Sequence, residues 1–277
     1  MATKIKGVDI SEFNGTVNFT ALKNAGVEFV IIRTGFGSDY PGQQDKQFEA
    51  NIKGCEKAGL PYGVYHYAYA KTRAAGVNEA KHCLRILGNR KPAYGVWYDM
   101  EDKSTIGDDL NGAADGFCST IEAAGLYAGV YANLNWWNNY LKGEAFSKYD
   151  KWVAQYNSTC QYKGDYGIWQ YTSTWSIGGK NFDGNWVYKD YPSLTGTKPN
   201  FPSEPEEPKE TYEDWKKFME QYEAELANKP VSSWATGAVN YVKSNGIMKG
   251  DTDGKFRPQS WLTRQEYAAM QKNMEDK

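Results

Sequence analysis

Between residues 5 and 192, short apolar or aromatic runs alternate with stretches of helical periodicity, and that alternation restricts the fold more than any other property of the chain. The runs occupy residues 5–11, 28–35, 62–70, 94–101, 127–133, 151–156, 166–172 and 186–191, each with the aromatic and β-branched composition of a strand. Between the early runs the apolar residues switch to a helical period. Leu110, Ala113, Ala114, Phe117 and Ile121 fall on one helical stripe, as do Val77, Ala80, Leu84 and Leu87. Gly26, Gly59 and Gly125 stand where such helices end. Strands that alternate with helices pair in parallel through crossovers, and eight of them close on themselves. The expected fold is α/β, an irregular TIM-like (β/α) barrel with eight strands and fewer helices over residues 1–195. The irregularity belongs after the fifth strand, where the gaps are too short for full helices.

After Tyr191 the composition changes. Pro199, Pro202, Pro205 and Pro208 recur every third residue among Glu204, Glu206 and Glu207, the period of a polyproline II helix. Residues 196–210 are therefore expected to be a semi-rigid spacer, on the order of 30 Å long at about 3.1 Å per residue. A small all-α module is expected over 211–277. Its first helix, 212–228, carries Trp215, Phe218, Met219, Tyr222 and Leu226 on one stripe. The later turn Asp251-Thr252-Asp253-Gly254 is Asp-rich but fails as a calcium loop, with Lys255 at the fifth position and Leu262 at the twelfth, where Glu is needed.

Bulk properties mainly exclude. A formal net charge of -2 gives no support for nucleic acid or an anionic membrane as partner. No run of eighteen apolar residues exists, and the first twenty residues lack the apolar core of a secretory signal. Synthesis in the cytoplasm without a signal peptide is the expectation. The only histidines are His66 and His82, too few for a zinc hydrolase site, so neither a metal nor a cofactor is expected. Cys55, Cys83, Cys118 and Cys160 lie far apart with no Cys-x-x-Cys pair, and free, partly buried thiols are expected. By contrast, 21 Tyr and 10 Trp are a heavy load of amphipathic rings, which line carbohydrate sites as readily as they fill cores.

The candidate chemistry lies in Tyr98-Asp99-Met100-Glu101 at the end of the fourth run. Side chains two apart on a strand share a face, so Asp99 and Glu101 point the same way, roughly 6 to 7 Å apart at about 3.3 Å per residue. Such a pair repels unless one carboxyl keeps its proton. A protonated acid beside a carboxylate is what cleavage of a glycosidic bond requires; the competing reading is a solvated pair past a strand end. Barrel closure adds weight, because the carboxyl ends of the strands share one mouth. Asp9 ends the first strand, and Asp183 immediately precedes the eighth, which neighbours the first. Four acids from distant parts of the chain then meet in one cleft. Tyr65, Tyr67, Tyr131 and Trp169, near strand ends, are candidate sugar platforms, with core packing as the alternative for each.

The sequence resembles glycoside hydrolase family 25, the lysozymes often carried by bacteriophages as endolysins. The resemblance runs in unbroken order through Asp9-Ile10-Ser11, Val30-Ile31-Ile32-Arg33-Thr34-Gly35, Gly63-Val64-Tyr65-His66-Tyr67-Ala68, Tyr98-Asp99-Met100-Glu101, Gly129-Val130-Tyr131, Trp152-Val153-Ala154-Gln155-Tyr156, Ile168-Trp169-Gln170-Tyr171 and Phe182-Asp183-Gly184-Asn185. It implies hydrolysis of the β-1,4 bond between N-acetylmuramic acid and N-acetylglucosamine in peptidoglycan. Glu101 would then be the general acid, Asp99 would raise the proton affinity of Glu101 or orient the substrate acetamido group, and Asp9 and Asp183 would stabilise the cationic transition state. The resemblance favours a substrate-assisted, retaining route. A chitinase-like glycosidase also ends a strand in Asp-x-Glu, but residues 94 to 98 hold none of that family's further acids. An inactive wall-glycan-binding barrel is the rival from another class; it has no need to keep Glu101.

The carboxyl-terminal stretch resembles an S-layer homology motif through Trp234-Ala235, Gly246-Ile247, Gly250, Asp253-Gly254-Lys255-Phe256-Arg257-Pro258 and Leu262-Thr263-Arg264-Gln265-Glu266. That implies binding to a secondary polymer of Gram-positive cell walls. It departs from the pattern in Gln265, where Ala is usual, and in standing as one copy where three are common. A homodimer through 212–277 is one way of completing a lone copy. The expected whole is an endolysin-type enzyme that acts on the wall after release.

Overall fold

In a computed structural model the chain is described over residues 4–197, 212–250 and 255–276. It divides into two compact units, residues 1–204 and 205–277.

The first unit is a closed barrel whose strands follow one another in chain order. They are β1 (Ile5–Ile10), β2 (Phe29–Phe36), β3 (Tyr62–Tyr67), β4 (Val96–Asp99), β5 (Ala128–Asn133), β6 (Asp150–Ala154), β7 (Ile168–Ile177) and β8 (Lys180–Val187). Helices α1 (Phe19–Asn24), α2 (Phe48–Ala58), α3 (Arg73–Leu87) and α4 (Leu110–Ala123) make the first four crossovers. Only the short α5 (Leu134–Asn139) and α6 (Ala145–Lys148) separate β5 from β6, and α7 (Tyr191–Thr195) follows the last strand. Strands β1 to β7 pair in parallel, whereas β8 is antiparallel to both β7 and β1.

The reversal corrects the expected eighth strand. The run expected at 186–191 is instead the end of β8, Tyr191 opens α7, and the seventh strand runs on to Ile177. Gly178 and Gly179, at φ 58° and 81°, link Ile177 to its ladder partner Lys180. Two central residues with positive φ make the tight turn that suits a hairpin, whereas a parallel return would need a dozen or more residues.

Alternation along the strands builds two cores. Val8, Ile10, Val30, Ile32, Val64, Val96, Tyr98, Val130 and Val153 face outward and pack with helix residues such as Leu22, Ile52, Ala80, Cys83, Ala113 and Phe117. Inside the barrel lie Phe29, Ile31, Trp97, Trp152, Ile168 and Val187, with Tyr94 and Tyr191. Trp97 meets Trp152 edge-on at 6.0 Å and Tyr191 at 5.6 Å. Gly129 makes room for this plug, since a Cβ there would lie 2.4 Å from the Trp97 ring. The filled interior leaves the carboxyl ends of the strands to carry a site. The α4 stripe is buried as its spacing predicts. On α3 the buried face is rotated to Gly76, Ala80, Cys83 and Leu87, and Val77 and Leu84 lie at its margin. The reason is close approach to α4, where a Cβ on Gly76 would meet the Ala113 carbonyl at 2.2 Å.

The second unit holds α8 (Tyr212–Ala227), α9 (Thr236–Ser244) and α10 (Arg264–Glu275). Thr263-Arg264-Gln265-Glu266 closes a capping box: Thr263 Oγ1 accepts from the Glu266 N–H at 3.2 Å, and Glu266 Oε2 accepts from the Thr263 N–H at 2.7 Å. Leu226 and Ile247 are buried, whereas Trp215, Phe218, Tyr222, Trp234, Tyr241, Trp261 and Tyr267 are exposed. The proline spacer, from residue 198 on, and the Asp251 to Gly254 turn lie outside the described residues.

Candidate active site

The four acids arrive at the barrel mouth by different local routes. Asp9 is the penultimate residue of β1, Asp99 ends β4, and Glu101 follows two residues later. Met100 between them is buried in the outer core, which turns Asp99 and Glu101 inward together. Asp183 sits within β8 and not before it, as the Cα partner of Asp9. A reversed strand presents its beginning at the mouth, so the hairpin sets Asp183 opposite Asp9.

A polar network fixes Asp9. Asn185 Nδ2 and Gln170 Nε2 both donate to Asp9 Oδ2, at 2.7 and 2.8 Å. Asn185 Oδ1 accepts from the Trp152 indole N–H at 2.8 Å. Gln170 Oε1 accepts from the hydroxyls of Tyr131 at 3.0 Å and Tyr156 at 3.3 Å. Every side chain here has one orientation that satisfies its neighbours, so the carboxylate is held rigid. Behind Asp99, Arg33 is buried between two acids, donating from Nε to Asp45 at 2.8 Å and from Nη2 to Glu12 at 2.7 Å.

Electrostatics follow from crowding like charges in a dry place. Burial pushes the Asp9 carboxyl well above the ordinary range, the charge of Asp183 adds to this, and the Asn185 and Gln170 amides pull it back. Burial also raises Asp99 strongly, reinforced by Glu101 and Asp9 and opposed by Arg33. Glu101 is raised first by burial, then by Asp183 and Asp102, against a hydrogen bond from Asn133. Burial raises Asp183. Asp99 and Glu101 repel each other, and Asp183 and Asp102 add to the repulsion on Glu101. Asp99 Oδ1 is buried without a hydrogen-bond partner among the described residues. A mouth of four such acids holds its protons more tightly than free carboxyls do, and can both donate one and face a developing cation.

Three of the four proposed platforms line this mouth. Tyr65 feels the charges of Asp9 and Asp99, Tyr131 those of Glu101, Asp99 and Asp9, and Tyr67 those of Asp99, Asp102 and Glu101. Tyr67 also donates to Asp102 at 3.2 Å. Trp169 is not with them. It neighbours Gln170, whose side chain reaches Asp9, and so takes the opposite face of β7; it is 5% exposed, with its indole N–H on the Gln155 carbonyl at 2.9 Å. Arg33, Asn133, Gln170 and Asn185 also join the site, outside the pattern of acids near strand ends. A polar side chain inside an otherwise apolar strand, as in Ile168-Trp169-Gln170, was the available signal.

A barrel with paired acids at its mouth and polar donors behind them is that of a glycoside hydrolase. Residues 8–180 match the family model for glycosyl hydrolases family 25, and residues 229–268 match the S-layer homology domain. The chain belongs to glycosyl hydrolases family 25, and its barrel is a lysozyme domain. It is 27% identical over 194 residues to a probable family 25 lysozyme of Dictyostelium discoideum, covering 66% of this chain and 90% of that one. Among solved structures it is similar to the modular autolysin LytC from Streptococcus pneumoniae, at 28% identity and a TM-score of 0.60 over 67% of this chain and 47% of the other. The catalytic domain of endolysin ply40 from bacteriophage P40 of Listeria monocytogenes matches at 26% identity and a TM-score of 0.58, over 70% of this chain and 98% of that domain. The chain thus spans about half the length of the Streptococcus autolysin.

Proposed function

We propose that the chain is an N-acetylmuramidase that hydrolyses the β-1,4 bond from N-acetylmuramic acid to N-acetylglucosamine in peptidoglycan. The observation that carries this reading is the placing of Asp99 and Glu101 at the end of β4 in the mouth that Asp9 and Asp183 share. Glu101 is the less buried of the β4 pair and is raised by burial and by neighbouring acids, which suits it to protonate the leaving oxygen. The orphaned Oδ1 of Asp99 is available to accept from the acetamido N–H, holding the acetamido oxygen against the anomeric carbon in a substrate-assisted, retaining displacement. Asp9 and Asp183 supply negative charge toward the oxocarbenium-like transition state. Tyr65, Tyr67 and Tyr131 form the wall against which the sugar lies.

The carboxyl-terminal module anchors this activity to the wall by binding a secondary polymer, and pairs with a second copy through the Trp215, Phe218 and Tyr222 face of α8. These rings are exposed and Phe218 and Tyr222 stack at 6.4 Å, while among the described residues of the module only Leu226 and Ile247 are buried apolar side chains. A light-scattering mass of one chain at micromolar concentration would remove the dimer. For the enzyme, the test is turbidity loss of Gram-positive walls with reducing-end analysis. New muramic acid ends support the assignment; glucosamine ends, or intact walls, overturn it.

A further inference from the structure

The reaction outlined above makes no use of Glu79, an acid on α3 that is 2% exposed and packed behind the barrel wall. Its Oε2 accepts from the Tyr98 hydroxyl at 2.5 Å, and its Oε1 accepts from the Tyr69 N–H at 3.1 Å, with the Ala70 N–H as a further donor. Tyr98 precedes Asp99 and points to the outer face of β4, where its ring stacks on Phe117 at 4.0 Å. Tyr69 and Ala70 follow β3, and Tyr69 meets Tyr67 edge-on at 5.2 Å. One residue earlier, the Ala68 N–H donates to the Asp99 carbonyl at 2.9 Å. The bonds form a ring: Glu79 to Tyr98, along β4 to Asp99, across to Ala68, and through Tyr69 and Ala70 back to Glu79.

We propose that Glu79 is a positioning residue for the glycosidase site, locking the end of β4 that carries Asp99 and Glu101 to the wall that carries Tyr67 and Tyr69. A single carboxyl serves two walls of the mouth because it offers acceptors both to a side chain on one strand and to the backbone after the neighbouring strand. An apolar residue in its place would leave a buried hydroxyl and two peptide N–H groups without partners. Misplacement of reacting groups by as little as about 1 Å lowers turnover on the order of a hundredfold. The groups facing Glu79 are a phenol and two peptide N–H groups, with the Cys118 thiol of α4 near the far side of that phenol. Burial raises Glu79 to about 7; Gln keeps an oxygen for the peptide N–H groups and holds Tyr98 by the reversed bond, its NH2 group donating to the Tyr98 oxygen in place of accepting from the hydroxyl.

The inference rests on the muramidase reading, and its test separates the two. Wall-lysis kinetics of Glu79→Ala, Glu79→Gln and Tyr98→Phe are measured on the full chain, with circular dichroism at the assay temperature and amide exchange at Tyr69 and Ala70. The expectation is a 10- to 100-fold fall in kcat for Glu79→Ala, with KM changed far less, recovery to within about threefold in Glu79→Gln, and faster amide exchange at both residues in the Ala variant only. Should Glu79→Ala fail to fold, Tyr98→Phe carries the test, with kcat down several-fold in a folded protein. Folded Glu79→Ala or Tyr98→Phe with wild-type kcat overturns the inference, as does a loss that merely tracks the unfolded fraction. An inactive wild type instead condemns the muramidase reading, while the amide exchange still reports on the clamp.

Discussion

Replacing Asn185 with Leu is the sharpest structural perturbation of the site, because Asn185 is fully buried and serves two partners at once. Its Nδ2 donates to Asp9 Oδ2 at 2.7 Å and its Oδ1 accepts from Trp152 Nε1 at 2.8 Å. Leu keeps the branched outline of Asn and leaves no cavity, while its bulkier methyl groups add overpacking to the lost hydrogen bonds. Loss of a bond to a charged carboxylate costs about 1.5–3 kcal/mol, and an indole N–H left unpaired costs about 1–3 kcal/mol more. The sum, about 2.5–6 kcal/mol, moves a urea midpoint by roughly 0.8 to 2 M at a slope of about 3 kcal/mol/M. The effect also depends on pH. Asp9 is already raised above its unfolded value of 3.8, so folding binds protons there and stability falls as pH rises from 3.8 through the folded pKa. Removing a donor that favours the ionised form raises Asp9 further, so the variant loses more at pH 7 than at pH 4. Urea unfolding of the barrel, followed by Trp fluorescence at both pH values, is the assay. A loss below about 0.5 kcal/mol, well under one buried charged hydrogen bond, or a larger loss at pH 4, would refute the reasoning.

Arg33→Met leaves Glu12 and Asp45 without the cation between them, and urea unfolding is expected to show a loss of about 3–5 kcal/mol. The same substitution removes the charge that holds Asp99 down, so any limb of the pH–activity profile set by Asp99 moves to higher pH. Trp169→Phe, on the face of β7 away from Asp9, is expected to leave KM for wall fragments unchanged while costing about 1 kcal/mol for the lost bond to Gln155. A severalfold rise in KM in that folded variant would return Trp169 to the sugar wall.

Much of the barrel was legible because its first five strands obey local rules: a β-branched or aromatic run, a helical stripe, and a glycine where the helix stops. The reversal at β8 was not. Thr172, Ser173, Thr174 and Ser176 give the extension of β7 a polar face that reads as loop, and only the Gly178-Gly179 pair signals a hairpin. The position of Asp183 depended on that turn, so the acid was recognised but placed ahead of a strand and not within one. Asp9, Asp99 and Glu101 were legible from strand ends alone. Their supports were not, since Gln170, Asn185 and Arg33 sit on other strands and are separated from Asp9 or Asp99 by 161, 176 and 66 positions. Trp169 shows the limit of proximity to a strand end as a criterion: a register of one residue decides between mouth and outer face, and only Gln170 bonded to Asp9 fixes it.

The central claim, that Glu101 donates the proton to the leaving oxygen, is tested most directly by comparing Glu101→Gln with wild type on two substrates. One is peptidoglycan; the other is an aryl β-muramoside whose phenolate leaves without protonation. A loss of about 10²–10⁴-fold is expected on peptidoglycan and a far smaller loss on the aryl glycoside. Equal losses on both substrates, or lysis of peptidoglycan at the wild-type rate, would contradict the claim.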